Sequence, residues 1–464
     1  MTHYDLIVIG TGSGNTIVDE RFASWRVAIV ERGLYGGTCL NRGCIPSKML
    51  VLPADAAQRA ARAGHLDVHS SFDGVDWPAL RDRVFGRTDH VAGQGHDYRH
   101  GQDGVDALDG TARFVGPRTL RVAPTDGGEE VEISADHVVI ATGSRPVLPD
   151  VPGLAEAEPY TSDDVMRIDA LPRRLGIVGG GYVGCELAHV FASFGVEVVQ
   201  VESADSLLDN QDEDVARVFT DLASQRWDVR LEARLTKVVR DEGPDGEIHL
   251  HLEGSDPVTV DALLVAAGRR PNSDLLDLDG TGIEVDDQGL VVVDEHQRTT
   301  AEGVWALGDA SSRQPLKHVA NQDARVVQHN LLHPHDLMTS DHRFVPAAVF
   351  SSPQVGTVGL TEEQAREQGL DLAVVRHQYA STAYGWALND DDAGFLCKLL
   401  ADRSTGLLVG AHLVGPQAAS LVQPLIQAMS FGQPVKGLAR GQYWIHPAPT
   451  EVVENALIAL EGEL

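Results

Sequence analysis

Gly36-Gly37-Thr38-Cys39-Leu40-Asn41-Arg42-Gly43-Cys44-Ile45-Pro46-Ser47-Lys48 decides how the whole chain is read. Two cysteines lie five residues apart, directly after a predicted nucleotide-binding βαβ unit. Gly36 and Gly37 carry no Cβ, so a ligand can approach the backbone closely there. Pro46 suits the first turn of a helix, which puts Cys44 near a helix N-terminus. Unpaired N–H groups and the helix dipole favour a thiolate at that place. Residues five apart do not face each other in a regular helix, so bringing Cys39 to Cys44 needs an irregular turn. A structural staple, half a zinc site and two inert thiols are the competing readings. A chain of 464 residues needs no staple. Only Cys185 and Cys397 remain, and they form no second close pair for zinc.

Toward the N-terminus, Asp5 to Gly10 reads as a short buried strand. It runs into Gly10-Thr11-Gly12-Ser13-Gly14-Asn15, a helix-length interval, and a second strand, Val27 to Val30, ending in Glu31. Glycines at such a turn seat a pyrophosphate, and an acid about 20 residues on accepts from a ribose. Asn15 departs from the pattern at the third glycine position. Toward the C-terminus, residues 49–65 continue the helix that begins near Cys44. Residues 67–116 are polar and glycine-punctuated, and read as helix and irregular connections. His65, His69, His90, His96 and His100 fall here or at its edge and read as solvated, with no metal expected. Val138 to Ser144 is a buried strand closing on Thr142-Gly143, after which Pro146, Pro149 and Pro152 mark a linker.

A second unit opens at Leu175-Gly176-Ile177-Val178 and carries the complete Gly179-Gly180-Gly181-Tyr182-Val183-Gly184 turn, with a helix from Cys185. Its next strand, Val196 to Val201, ends in Glu202, and Leu263 to Gly268-Arg269 closes the unit. Gly303 to Gly308 delivers Asp309 from an apolar strand. From Phe344 onward, strands and helices follow without dinucleotide turns.

The formal charge of −31 excludes partners that need a basic patch, nucleic acid and anionic membrane among them. No apolar run approaches the length of a membrane span. Met1-Thr2-His3-Tyr4-Asp5 leads straight into a strand and does not read as a signal peptide, so a cytoplasmic protein is expected. The Asp-rich, Arg-rich balance fits either a GC-rich genome or a high-salt cytoplasm.

The stretch from Gly36 to Lys48 resembles the redox-active motif of the FAD-dependent pyridine nucleotide-disulfide oxidoreductases, and the rest of the chain follows their order. The resemblance implies an α/β fold of two Rossmann-like dinucleotide-binding domains plus a C-terminal α/β dimerisation domain. Its parts would be 1–150 and 271–340 for FAD, 151–270 for the nicotinamide cofactor and 341–464 for dimerisation. It implies that Gly10, Gly12, Gly14, Glu31, Gly37, Thr38, Thr142, Gly143 and Asp309 hold FAD. Gly179, Gly181, Gly184, Glu202, Gly268 and Arg269 belong to the nicotinamide side, and Tyr182 stands as an aromatic gate over the flavin. Cys39 and Cys44 would be the redox pair, Lys48 paired with Glu186 would stand beside the flavin, and His446 with Glu451 would serve the disulfide of the other subunit of a homodimer. Ala448 replaces the commoner threonine of the His-Pro motif. The implied reaction carries electrons from NADH or NADPH through FAD to a low-molecular-weight thiol disulfide of the mycothione type. Bis-γ-glutamylcystine and the dihydrolipoamide couple are alternatives. No Lys or Arg occurs from Leu175 through Ala216, where the family's NADPH-users place arginines, so NADH is favoured.

Overall fold

The apolar runs become strands buried on both faces, as parallel sheets require. The computed structural model describes residues 1–243, 246–390 and 393–464, and it divides into two compact units. The first comprises Met1–Pro46, Arg81–Val147 and Gly268–His342. Its parallel strands lie in the order Val105–Gly116, Val27–Glu31, Thr2–Ile9, Val131–Ile140 and Val304–Ala306. Leu6, Ile7, Val8 and Ile29 are fully buried, and helix Lys317–Leu332 covers one face through Ala324, Val327 and Leu331. Thr119–Pro124 runs antiparallel between the far halves of Val105–Gly116 and Val131–Ile140.

Three elements depart from the sequence reading. Strand Val105–Gly116 was expected as irregular chain, because Asp and Gly interrupt its alternation. Gly110 is where the strand changes partner; a Cβ there would meet the Val122 side chain at 2.6 Å. Helix Trp77–His100 runs through three internal glycines; Gly86 and Gly93 touch nothing that demands glycine. Third, no α-helix follows the first glycine turn. Short 3₁₀ turns, Gly14–Thr16 and Glu20–Phe22, stand in its place. The β-branched run Thr16-Ile17-Val18 is a poor helix former. The buried Arg99 guanidinium donates instead to Asn15 Oδ1 at 2.8 Å and to the Val18 carbonyl at 3.0 Å. The departure at Asn15 therefore supplies an acceptor for a buried cation.

The second unit comprises Ser47–Leu80, Leu148–Ala267 and Arg343–Leu464. A parallel sheet, in the order Ala262–Val265, Arg174–Val178, Glu197–Val201 and Asp228–Arg230, carries helix Tyr182–Ser193 after its glycine turn. That helix starts three residues before the expected Cys185, capped by Gly181. A three-stranded antiparallel meander, Arg234–Arg240, Ile248–Glu253 and Val258–Val260, completes this part. The C-terminal part is a five-stranded antiparallel sheet, Pro346–Val349, Gln354–Gly359, Leu407–Gly415, Leu396–Asp402 and Leu372–Gln378, packed against helix Glu451–Glu463. Among the described residues no helix is long and apolar enough to cross a membrane.

Within this unit a buried cation joins the part built on the four-stranded parallel sheet to the five-stranded antiparallel sheet. Lys398, 2% exposed at its side chain, reaches Asp212 and Asp214 at 2.7 Å and Glu362 at 2.8 Å. Burial pushes the Asp214 and Glu362 carboxyls up, but hydrogen bonds from Lys398 and flanking arginines outweigh it and hold each at about 2. Removing one partner from such a cluster costs about 3–5 kcal/mol. Lys398→Met is therefore expected to lower the unfolding free energy measured in urea at neutral pH by that order, and the midpoint with it. The folded-state values lie below the ordinary 3.8 and 4.5, so this stabilisation is complete above about 4.5 and is lost as pH falls toward 2. The gap between native and variant midpoints should close over that window; a gap constant down to pH 2 would show that the cluster is energetically silent.

Candidate active site

The redox turn is built on two glycines and a broken helix. Gly36, at φ +95°, caps helix Gly37–Arg42, which carries Cys39. A Cβ on Gly37 would stand 2.7 Å from the Gly12 α-carbon, so the redox helix rests directly on the first glycine turn. Buried Asn41 donates to the carbonyls of Tyr35 at 2.9 Å and Gly37 at 3.0 Å, tying the helix to its approach. Gly43, at φ −138° and ψ −121°, interrupts the helix, and Cys44 starts the next, Cys44–Arg62. The break solves the spacing problem that a regular helix poses. Both cysteines are thiols. Hydrogen bonding to Cys44, then burial, push the Cys39 thiol well above its ordinary range, while Lys317 pulls it the other way.

Both glycine turns use one device. A Cβ on Gly10 would meet the Ala141 carbonyl oxygen at 2.4 Å, and one on Gly179 would meet that of Ala266 at 2.4 Å. In the first, Glu31 Oε2 accepts from the Thr11 amide at 2.8 Å and the Thr11 hydroxyl at 2.7 Å, and Oε1 accepts from the Gly33 amide at 2.8 Å. In the second, Glu202 Oε2 accepts from the Gly180 amide at 2.5 Å, and Oε1 from the Ala204 amide at 2.8 Å and the Ser203 hydroxyl at 2.9 Å. A carboxylate has about four acceptor positions, so each acid keeps room for a ribose hydroxyl.

The dinucleotide fit is tested by space and by polar atoms. Gly14 and Gly184 are filled positions, a Cβ meeting the Ala141 side chain at 2.5 Å and the Gly179 carbonyl at 2.2 Å. At Gly143, Gly181 and Gly268 a Cβ would meet no protein atom, and at Gly12 only the Gly37 α-carbon at 3.9 Å. The second set leaves a cradle above each turn. Thr142 Oγ1 is buried with no protein partner, as a ligand-facing hydroxyl would be. Asp309 is not the helix cap that its position allows; its Oδ2 accepts from Ser144 Oγ at 2.6 Å. Arg269 in turn donates to Ser144 Oγ at 2.9 Å and to the Ser144 carbonyl at 2.8 Å. Arg269, expected on the nicotinamide side, thus belongs to the first unit and positions Asp309 through Ser144.

In the second unit Lys48 Nζ lies 2.5 Å from Glu186 Oε2 and 4.7 Å from the Phe350 ring centre. Glu186 is buried, and its Oε1 accepts from the Phe350 amide at 2.9 Å. Tyr182, at the start of the helix that holds Glu186, is exposed. His446 is hydrogen-bonded through Nδ1 to Glu451. Glu451 is buried, while the His446 side chain is 72% exposed and flanked by the outward-facing Tyr443 and Ile445. Thr38 lies in the redox helix at the first glycine turn. Ser144, Lys317 and Phe350 were not legible as site residues, since nothing in their local sequence distinguishes them. Of the five noted histidines, His96 and His100 are brought together, on Asp109.

The arrangement is a vicinal dithiol mounted on a dinucleotide cradle, which suits two-electron exchange between a bound flavin and a disulfide. The family described as pyridine nucleotide-disulphide oxidoreductase matches residues 4–324, and its dimerisation domain matches residues 345–457. The chain is 48% identical over 466 residues to a mycothione reductase of Mycobacterium tuberculosis, covering 99% of this chain and all of that one. It is 36% identical to a dihydrolipoyl dehydrogenase of Haloferax volcanii, covering 98% and 97% of the two chains. Among solved structures it resembles a Cu(II) complex of the HOCl-induced flavoprotein disulfide reductase RclA from Escherichia coli, with a TM-score of 0.86, 31% identity, and 99% and 100% coverage.

The Lys48–Glu186 pair lends itself to a double-mutant cycle. Lys48→Met, Glu186→Gln and the double variant are expected to show a coupling of about 0.5–3 kcal/mol in chemical unfolding, the range for contacting charged groups. Additive losses would mean that the two side chains are neighbours without interaction.

Proposed function

This chain belongs to the pyridine nucleotide-disulphide oxidoreductase family and is an FAD-dependent disulfide oxidoreductase that takes electrons from NAD(P)H; on that premise we propose that it reduces a mycothione-type low-molecular-weight disulfide in the cytoplasm, as a homodimer with shared active sites. FAD, when bound, supplies hydride acceptance from the nicotinamide and two-electron reduction of the Cys39–Cys44 disulfide. The chain's own residues do the rest. The observation that carries the reading is the helix broken at Gly43, which ends one short helix carrying Cys39 and starts the next at Cys44, with Gly37 resting on the Gly12 turn. A helix start suits Cys44 as the thiolate facing the flavin, which leaves Cys39 as the exchanging thiol. Lys48, held by Glu186, would supply positive charge to balance the negative charge of a reduced flavin.

His446 takes the Cys39 proton, and the Cys39 thiolate attacks one sulfur of the substrate disulfide. A mixed disulfide forms and the first product thiolate leaves, taking a proton from His446. Cys44 then attacks the Cys39 sulfur, releasing the second thiol and restoring the Cys39–Cys44 bond. Glu451, buried beneath His446, fixes the imidazole through Nδ1 and leaves Nε2 outward. The exposure of His446 between Tyr443 and Ile445 supports an arrangement in which a second copy covers this segment and receives the histidine. The 48% identity to a mycothione reductase, together with Ala448 in the His-Pro motif, supports the substrate class.

NADH is the proposed donor. The Glu202 carboxylate closes the turn where a 2′-phosphate would have to sit, and it would repel that group. Arg230, on the neighbouring strand, is held by Asp228 at 2.8 Å. In the unmodified holoenzyme kcat/KM should be higher with NADH than with NADPH; a tenfold preference for NADPH, about 1.4 kcal/mol, would refute this reading of Glu202. Cys39→Ser and Cys44→Ser should retain FAD and lose disulfide turnover, assayed on a panel of mycothione, bis-γ-glutamylcystine and lipoamide. His446→Ala should slow the disulfide half-reaction about 10²–10⁴-fold while flavin reduction by nicotinamide stays near native. Equal slowing of both halves would assign His446 elsewhere.

A further inference from the structure

Apart from the redox turn, the first unit holds a second group of donor atoms that the proposed reaction does not use. His96 and His100 stand four residues apart in helix Trp77–His100, so they project from one face. Asp109 faces them from strand Val105–Gly116, at the point where that strand pairs with Glu31. His96 Nε2 lies 3.1 Å from Asp109 Oδ2, and His100 Nε2 lies 3.3 Å from the same carboxylate oxygen. The two imidazole rings are 4.1 Å apart, centre to centre. One donor atom from each of the three residues lies within 4.8 Å of the other two.

We infer that His96, His100 and Asp109 form a binding site for a borderline divalent transition-metal ion of the zinc or nickel class. Metal–ligand bonds of about 2.0–2.1 Å place neighbouring donors about 2.9 Å apart in octahedral and about 3.4 Å apart in tetrahedral geometry. Both measured His–Asp separations fall between these edges, so Asp109 needs little movement relative to either histidine for the three donors to close on an ion. Imidazole and carboxylate together suit Zn(II) and Ni(II), with water in the open positions. Calcium and magnesium favour all-oxygen sites instead.

The surroundings are those of a metal site rather than of a chance surface cluster. The ring nitrogen of His96 that faces away from Asp109 contacts Asp97 Oδ1 at 3.2 Å. A carboxylate there fixes the tautomer that leaves Nε2 free for metal. The buried Tyr35 hydroxyl donates to Asp109 Oδ1 at 3.0 Å and holds the carboxylate from beneath. The Tyr35 ring also packs edge-on against His96, with centres 5.1 Å apart. His96 and Asp109 thus each have a support, and these supports lie within one compact unit. Hydrogen bonds to Asp97 and Asp109 raise the His96 pKa, so protons compete with the ion.

The test uses the oxidised holoenzyme, with FAD bound and the Cys39–Cys44 disulfide closed so that the dithiol cannot take metal. Titration calorimetry with Ni(II) in a non-coordinating buffer should show one ion bound per chain. His96→Ala with His100→Ala should remove that binding, and Asp97→Asn, which alters only the support, should weaken it about tenfold or more. His96 and His100 are partly exposed, so the double variant should keep native FAD content and native disulfide turnover, which separates loss of the site from loss of the fold. Undiminished Ni(II) binding in the double variant, or no binding by the native holoenzyme, would overturn the assignment.

Discussion

A main-chain carbonyl pressed against a glycine α-carbon is the constraint from which the rest of the molecule follows. At Gly10 and at Gly179 the backbone turns with φ of +105° and +118°. The carbonyls of Ala141 and Ala266 then come so near that no side chain could be accommodated. Each contact brings the end of one parallel strand against the turn that leaves its neighbour. Each turn is then held by an acid from the next strand, Glu31 or Glu202, through the amide one residue on. The same stereochemistry appears twice in one chain because the same local arrangement, a glycine turn beneath the end of a neighbouring parallel strand, appears twice. The redox helix is set by the first of these turns, since Gly37 rests on Gly12.

Where a residue's role is fixed by its immediate neighbours, the sequence discloses it. Apolar runs too short for helices and bounded by glycine read directly as parallel strands, and Cys39, Cys44, Glu31 and Glu202 could be located from spacing alone. Roles fixed by distant chain were hidden. Arg99 replaces a helix that the first turn was expected to carry, yet it comes from the far end of helix Trp77–His100. Strand Val105–Gly116 has a poor alternation because it serves two partners in succession, parallel to one and antiparallel to the other. Arg269 closes the second βαβ in sequence but packs on Ser144 of the first unit. His96 and His100 read as scattered until a strand supplied Asp109 opposite them. In each case long-range packing overrode a local pattern.

Acidity and buried cations are two sides of one arrangement. With 68 acidic and 37 basic residues, the chain has carboxylates to spare for its surface. Several of its cations turn inward, where they hold structure: Arg99 on the carbonyls beneath the first turn, Lys48 on Glu186, Lys398 on three carboxylates. The same economy applies at the His–Glu pair, where the buried acid positions an exposed base.

The Lys398 cluster also bears on behaviour in brine. Dissolved ions shorten the reach of exposed charges to about 3 Å at 1 M, so surface pairs such as Arg21–Asp19 fade as electrolyte is added. Counterions cannot enter around a side chain that is 2% exposed, and its attractions are not diluted in that way. Electrolyte at the same time quiets the repulsion among the surplus carboxylates outside. The join between the four-stranded parallel part and the antiparallel sheet is therefore of a kind that concentrated electrolyte leaves intact, while the surface around it becomes easier to hold together.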